Sequence, residues 1–432
     1  MEKGTKPDYL ATVDVDPKSP TYSQVIHRLH MAEPGDELHH LGWNACSSCR
    51  GQTGRPTHSF IVAPGVLSGN IHIIDVKSDP KAPKLHKTIP GPEILSKVGA
   101  ALPHTTHCAP DELIMSFMGS GTAKDGFKPE GAGFVSFDPR RGTFEIKRRW
   151  EAGPKAPTFG YDFWYQLRHD VMISSEWGDP DCFTKGFNPG HVSEGKYGNK
   201  LYVWNFKDHT LKQEIDLGAG AIPLEVRFLH NPEKPVAFTG CALSSEMIQI
   251  TPKSDGQWAA KCVIKVDPIP VTGAGPDRIS MDDRFLYLSN WLHGDVRQYD
   301  LSGEEPKLVG QFFVGGSMKR GGPVKRTDGE EQPEALVVKG VEIQGGAQMV
   351  QLSLDGKRLY VSTSLFSSWD KQFYPDMATR GAQMIQLDVD TEKGGLTLNP
   401  DFLVDFGQEP DGPVLCHEMR LPGGDCTSDI FL

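Results

Sequence analysis

The sequence predicts an all-β chain folded as a seven-bladed β-propeller whose last blade is closed by the N-terminal strands. Three observations carry that expectation. Short β-rich runs recur at about sixty residues, a little beyond the usual ~20–50-residue band of repeat units. Turn formers are abundant, with 47 Gly and 33 Pro, and they punctuate strands rather than helices. The two ends of the chain each hold only half of a repeat.

Each unit begins with an apolar run: HSFIVA (58–63), DELIMSF (111–117), HDVMISSEW (169–177), KPVAFTG (234–240), DDRFLYLSNW (282–291) and DGKRLYVSTS (355–364). A second run follows: NIHIIDV (70–76), AGFVSFD (132–138), KLYVWNF (200–206), EMIQITP (246–252), DVRQYDL (295–301) and QMIQLDVD (383–390). Alternation of β-branched and aromatic residues between Gly, Asp and Asn is a strand signature. Six units are complete. The seventh is split, so residues 1–432 read as a single propeller domain in which strands within 9–31 complete the blade begun by 415–432. Closing a radial array in this way removes the open sheet edge. Only EILSKV (93–98) and DKQFYPDMATRG (370–381) read as short helices, which argues against a doubly wound fold. The Gly-rich GSGTAKDG (119–126) lacks the strand–turn–helix setting of a phosphate loop.

Composition narrows the function. The net charge of -11 argues against nucleic acid or an anionic membrane as the main partner. The basic KRGGPVKR (319–326) reads as a solvated loop. No apolar run approaches the ~20 residues that span a bilayer. The first residues lack the apolar core of a secretory signal, and eight scattered cysteines suit a reducing compartment, so a cytoplasmic location is expected.

The chemistry lies in the histidines. In a propeller the innermost strand of each blade borders a central channel, so residues far apart in sequence can meet there. His39 and His40 in ELHH, His104 and His107 in PHTTHC, then His169, His230, His293 and His417 recur near the first half of successive units. Imidazole suits Zn, Cu, Fe and Ni, and a channel-mouth metal site needs such a recurrence. His230 and His293 read more readily as turn residues and His169 as a strand residue paired with Asp170 or Asp162, which leaves His39, His40, His104, His107 and His417 as the candidate ligands. Glu37 and Glu418 flank them as candidate bases. Cys46 and Cys49 form a C-x-x-C without the second motif of a structural zinc site or the helix of a thioredoxin, so they stand as a redox pair or as soft ligands. No G-x-S-x-G elbow supports a serine hydrolase.

Taken together, DELHHLGWNACSSC, PHTTHC, GYDFWYQLRHDVMIS, IPLEVRFLHNP, FLYLSNWLHGDVRQYD, SLDGKRLYVSTSLFSSWDKQFYP and GGLTLNPDFLVDFG closely resemble the selenium-binding protein / methanethiol oxidase family, from residue 7 to residue 432. The resemblance implies a seven-bladed propeller and a copper-dependent oxidase that converts methanethiol, O2 and water into formaldehyde, hydrogen sulfide and hydrogen peroxide. It implies His39, His40, His104 and/or His107, and His417 as copper ligands, and it covers Cys46 and Cys49. Mammalian members carry a cysteine, to which selenium attachment is attributed, where Ser23 stands here; residues 270–278 also look shorter than theirs. The competing expectation is a non-catalytic propeller that binds selenium, thiols or a protein.

Overall fold

A computed structural model describes residues 6–46, 57–153, 157–266, 277–279, 283–322, 324–327, 329–422, 424–426 and 429–431. Cys49 and most of segment 270–278 lie outside the described residues. The chain opens with an antiparallel ribbon of β1 (Tyr9–Val13) and β2 (Val25–His30). The first blade comprises β3 (Gly42–Trp43), β4 (Phe60–Pro64), β5 (Ile71–Asp75) and β6 (Lys84–Ile89). After the helix α1 (Gly91–Val98), the second comprises β7 (Ala101–Ala109), β8 (Glu112–Thr122), β9 (Gly126–Lys128), β10 (Gly133–Asp138) and β11 (Glu145–Arg149). The third holds β12 (Phe163–Gln166), β13 (Val171–Ser175), β14 (Lys200–Asn205) and β15 (Thr210–Asp216), with an insertion of two short helices, α2 (Pro180–Phe183) and α3 (Gly190–Ser193), between β13 and β14. The fourth holds β16 (Pro223–Phe228), β17 (Ala237–Cys241), β18 (Glu246–Pro252) and β19 (Trp258–Lys265). The fifth runs from β20 (Asp277–Ile279) through β21 (Phe285–Asn290) and β22 (Asp295–Asp300) to β23 (Lys307–Phe313). A small hairpin, β24 (Val337–Val338) and β25 (Val341–Glu342), precedes the sixth blade of β26 (Val350–Leu352), β27 (Arg358–Ser362), β28 (Gln383–Val389) and β29 (Leu396–Asp405).

Every blade is an antiparallel sheet whose strands pair in chain order, apart from β9, which hangs from β8. The predicted units therefore correspond to blades, each offset by one strand: the two quoted runs are the second and third strands. The innermost strands β7, β12 and β16 are buried on both faces, so they lack the alternation that marks the half-exposed strands. Both expected helices form, the second as α4 (Ser367–Phe373) and α5 (Pro375–Arg380), separated because Pro375 cannot continue the first.

The described residues thus contain six blades, five of four strands and one of five, with the two-stranded ribbon and the β24–β25 hairpin, rather than seven full blades. The ribbon contacts both ends of the series. Towards the sixth blade, Glu409 accepts from Tyr9 Oη at 2.8 Å and pairs with Arg28, and Leu403 N donates to Ser23 Oγ at 2.9 Å. Towards the first, Asp8 accepts from Leu38 N at 2.8 Å, and Leu10 and Leu29 pack on Trp43 and Ile61.

Residues 415–431 add no regular strand among those described, contrary to expectation. Pro422 offers no N–H to a ladder, and polar groups further on bond elsewhere. Asp425 accepts from Trp43 Nε1 at 3.2 Å, the Cys426 carbonyl lies 3.1 Å from His230 Nε2, and Ile430 packs in the cluster of Trp164 and Trp258. The C-terminal segment therefore touches the first, third and fourth blades across one end of the channel.

The α4–α5 insertion is tied to the start of the chain. Glu37 accepts from Ser367 N at 2.8 Å and from Ser367 Oγ at 2.7 Å. Asp370, fully buried, accepts from Leu365 N at 3.0 Å and Ser364 Oγ at 2.6 Å.

These ties can be tested one at a time. Glu409→Ala, which removes the acceptor of Tyr9 and Arg28, is expected to lower stability by about 1–3 kcal/mol in urea denaturation; an unchanged midpoint would show that the ribbon is held by packing alone. Burial pushes the Asp370 carboxyl up to about 7. Its folded pKa lies above the unfolded value, so the native state holds a proton that the unfolded chain releases, and this group makes stability fall as pH rises from about 4 to 7. Asp370→Asn should flatten that slope in melting temperature measured across the interval.

Candidate metal centre

Inner strands all run the same way along the channel, so a residue just before a strand and one just after it lie at opposite ends. His39 and His40 precede β3, and His104 lies early in β7. His417 arrives from the C-terminal segment. All four rings meet: centroids are 3.9 Å apart for His39–His417, 4.2 Å for His40–His104, 4.7 Å for His39–His40 and 5.3 Å for His40–His417. Ligand nitrogens of His39, His40 and His417 fall within 4.8 Å of one another. Two backbone features permit this. A Cβ on Gly42 would sit 2.6 Å from Thr106 Cβ, so only glycine lets the first two inner strands approach so closely. An irregularity in β7 between Pro103 and Thr106 turns His104 out of simple alternation with His107.

The protein fixes the tautomers of three rings. His40 Nδ1 lies 2.9 Å from Glu418 Oε2, His104 Nδ1 lies 3.1 Å from the Tyr161 carbonyl, and His417 Nδ1 lies 2.8 Å from the Ser364 carbonyl. Each of these oxygens accepts, so each Nδ1 carries the proton and each Nε2 keeps its lone pair. His39 has no such anchor among the described residues and stacks on His417 at an interplanar angle of 10°. Carboxylate and carbonyl partners on the second nitrogen are the outer-shell contacts that orient metal-binding histidines.

The rings are suited to a metal on two further counts. Nε2 of His40 and of His104 are buried without a hydrogen-bond partner, although those residues are only 4% and 0% exposed. Such nitrogens cost about 1–3 kcal/mol each when unsatisfied, a cost that coordination relieves. Burial, and then the neighbouring imidazoles, pushes the pKa values of His39 and His104 well below the ordinary value, which keeps the neutral, ligating form.

Glu418 is held as firmly as the ring it orients. It also accepts from Leu41 N, and Arg420 Nη1 lies 2.8 Å from its other oxygen. A cavity of about 620 Å³ opens beside His39 and His417, walled by Leu41, Trp43, Tyr360 and Met384.

The other expected site residues fall elsewhere. His107 points to Phe163 and Trp164 and makes no ring contact with the four histidines, because it lies further along the same strand. Cys46 is buried with Ile71, Ile73 and Leu113 in the apolar core of the first two blades, away from the histidines. Glu37 accepts from Ser367 at the start of the α4 helix, and Glu418, against His40 Nδ1, stays beside the cluster. His169, after β12, bonds the Pro232 carbonyl at 3.0 Å, and His230, after β16, pairs with Asp283 at 3.2 Å. His230 thus takes the turn role that was its alternative, whereas His169 bonds a main-chain carbonyl of the next blade. Ser23 Oγ is engaged with the Leu403 backbone. The Tyr161 and Ser364 carbonyls and Arg420 complete the centre without having been singled out. Main-chain acceptors leave no mark in a sequence, whereas Arg420, two residues beyond Glu418, could have been found as its charge partner.

Relatives share this chain from end to end. A methanethiol oxidase of Xenopus laevis is 55% identical, the match covering 99% of this chain and 92% of that protein. Selenium-binding protein 1 of Arabidopsis thaliana is 53% identical over 99% of this chain and 89% of its own length. The X-ray structure of a hypothetical selenium-binding protein from Sulfolobus tokodaii superposes with a TM-score of 0.86 at 34% identity, covering 99% of this chain and 92% of that one. A family model described as 56 kDa selenium-binding protein matches residues 1–432, and the chain belongs to that family.

Proposed function

We propose that this protein is a copper-dependent methanethiol oxidase, with His39, His40, His104 and His417 holding the copper. The observation that carries the reading is the cluster of four imidazoles, His39, His40 and His104 buried and His417 half-buried, with Nδ1 of His40, His104 and His417 tied to the protein. Relatives at 52–55% identity bear the name methanethiol oxidase. Among metals that imidazole suits, zinc carries no redox chemistry, and copper stands at the top of the divalent affinity order.

The reaction balances in two steps. Methanethiol and O2 give thioformaldehyde and hydrogen peroxide. Thioformaldehyde and water then give formaldehyde and hydrogen sulfide. Copper, when bound, supplies the electron transfer to oxygen. The chain supplies the rest. Leu41, Trp43 and Met384 offer the methyl group an apolar wall beside His39 and His417. The anchored rings keep their donor nitrogens pointing inward, and Arg420 offsets the charge of the Glu418 carboxylate behind His40. His39, unanchored and neutral, is the adjustable member of the set and lines the cavity together with His417. The contacts of the β1–β2 ribbon with the first and sixth blades support taking it, with the C-terminal segment, as the seventh blade position of one domain. A cytoplasmic location belongs to the same reading, since eight scattered cysteines suit a reducing compartment.

The test is the copper content of protein purified with copper available, with peroxide, sulfide and formaldehyde followed on adding methanethiol. About one copper per chain is expected, falling at least about tenfold in His40→Ala, His104→Ala and His417→Ala, with His39→Ala losing less. Glu418→Ala should weaken copper affinity by about 10–100-fold by releasing His40 Nδ1. Absence of both copper and peroxide in the wild-type protein would leave a thiol- or selenium-binding propeller instead.

A further inference from the structure

A second polar site lies on the axis beyond the histidine cluster. His107, on β7, is 2% exposed, and neither of its ring nitrogens has a hydrogen-bond partner. Its ring is edge-on to Phe163 at 5.2 Å and Trp164 at 4.7 Å. Thr106 Oγ1, Asp162 Oδ1 and Arg227 Nε are likewise buried and unpartnered. Thr106 and His107 lie on β7, Asp162 just before β12 and Arg227 on β16, in three consecutive blades. Arg227 covers the Trp164 ring at 5.0 Å, and its terminal nitrogens bond Asp162 at 2.7 Å and Glu225 at 2.8 Å. None of Thr106, His107, Asp162 and Arg227 lines the thiol cavity.

An imidazole offers one donor and one acceptor in its neutral form, and burial holds His107 neutral, its pKa pushed down to about 3. Buried polar atoms in native proteins are met by protein or by ordered water. The occupant's charge is constrained by the groups around it. Asp162 and Glu418 act on His107 from one sign, Arg227 and Arg420 from the other, so neither a cation nor an anion is favoured. A neutral molecule that both donates and accepts fits the site.

We propose that His107, Thr106, Asp162 and Arg227 form an axial water site that serves the four-histidine centre by a route separate from the thiol cavity. The link to the centre is short. The Thr105 hydroxyl lies 3.0 Å from His104 Nδ1, and Glu418, which holds His40, acts electrostatically on both His104 and His107. The role rests on the oxidase reading, in which water is consumed as thioformaldehyde is hydrolysed; the site itself does not.

The test combines a high-resolution crystal structure of the copper-loaded protein with kinetics of His107→Phe. Ordered water is expected on His107 and on Asp162 Oδ1. His107→Phe should keep copper content and KM for methanethiol within about twofold, lower kcat by at least about fivefold and raise the solvent deuterium isotope effect. His107→Gln, which keeps a donor and an acceptor, should retain kcat within about threefold, separating lost water binding from lost packing. No density at His107, or a His107→Phe enzyme with unchanged kcat and isotope effect, overturns the proposal. If the wild-type protein shows no oxidase turnover, the role falls with that reading, and the density alone decides the site.

Discussion

The contact between His40 Nδ1 and Glu418 joins residues 378 positions apart, one before the first blade and one after the last. Closing the ring of blades and orienting a candidate ligand are therefore one interaction. Glu418 is buried, and an uncompensated buried carboxylate is costly. Its compensation comes from Leu41 N and Arg420, while Arg420 stands 3.9 Å from Asp425, which in turn accepts from Trp43 Nε1 at 3.2 Å. Opposite charges alternate along this chain of contacts, and the C-terminal segment is bound by polar pairs where a seventh full blade would be bound by a ladder. Removing Glu418 thus disturbs the tautomer of His40 and the seating of the last residues together.

Strand direction decides which histidines can meet. A strand rises about 3.3 Å per residue, so inner strands such as β12 and β16, of four and six residues, separate their two ends by roughly 13–20 Å. His39, His40 and His104 enter near the beginning of their strands and share one end. His169 and His230 follow the ends of β12 and β16 and are bound to turns there. A recurrence of about sixty residues is a statement about blades; it carries no information about position along the strand, and so it overcounts the candidate ligands.

That limit separates what was legible from what was not. The blades were readable because their second and third strands alternate strongly and sit between turn formers. The ELHH, PHTTHC and CHE stretches were readable because imidazoles concentrate there. The ribbon was readable as the partner of both ends, but the C-terminal half of the seventh unit was not, since CHEMRLPGGDC has apolar residues without saying that its acids and carbonyls bond across the channel. Choosing between His104 and His107 required the β7 irregularity, which arises from pairing with β8 and the close approach of Gly42 to Thr106. Assigning Glu37 and Glu418 as holders required knowing that Ser367 and His40 reach them, both more than 300 residues away.

Enclosure makes the centre work as a unit. The two insertions beside it clasp one another: Phe187 N donates to Gln372 Oε1 at 2.8 Å, Gln372 Nε2 donates to the Phe187 carbonyl at 2.8 Å, and Trp369 Nε1 donates to the Phe183 carbonyl at 2.9 Å. Phe366 and Tyr161 extend this cover to the rings of His39 and His104, at 5.7 and 4.2 Å. Burial has two opposed effects on a ligand set. It lowers the affinity of His39 and His104 for a proton, which leaves their lone pairs ready, and it makes unsatisfied nitrogens costly. The anchors on Nδ1 resolve the first half of that cost within the protein, while the Nε2 atoms of His40 and His104 remain for something else to satisfy. Because those anchors are a carboxylate and two main-chain carbonyls from three separate parts of the chain, the ring orientations are set by the fold before any ligand arrives. A ligand that satisfies the inward nitrogens adds its binding energy to folding without first having to order the site.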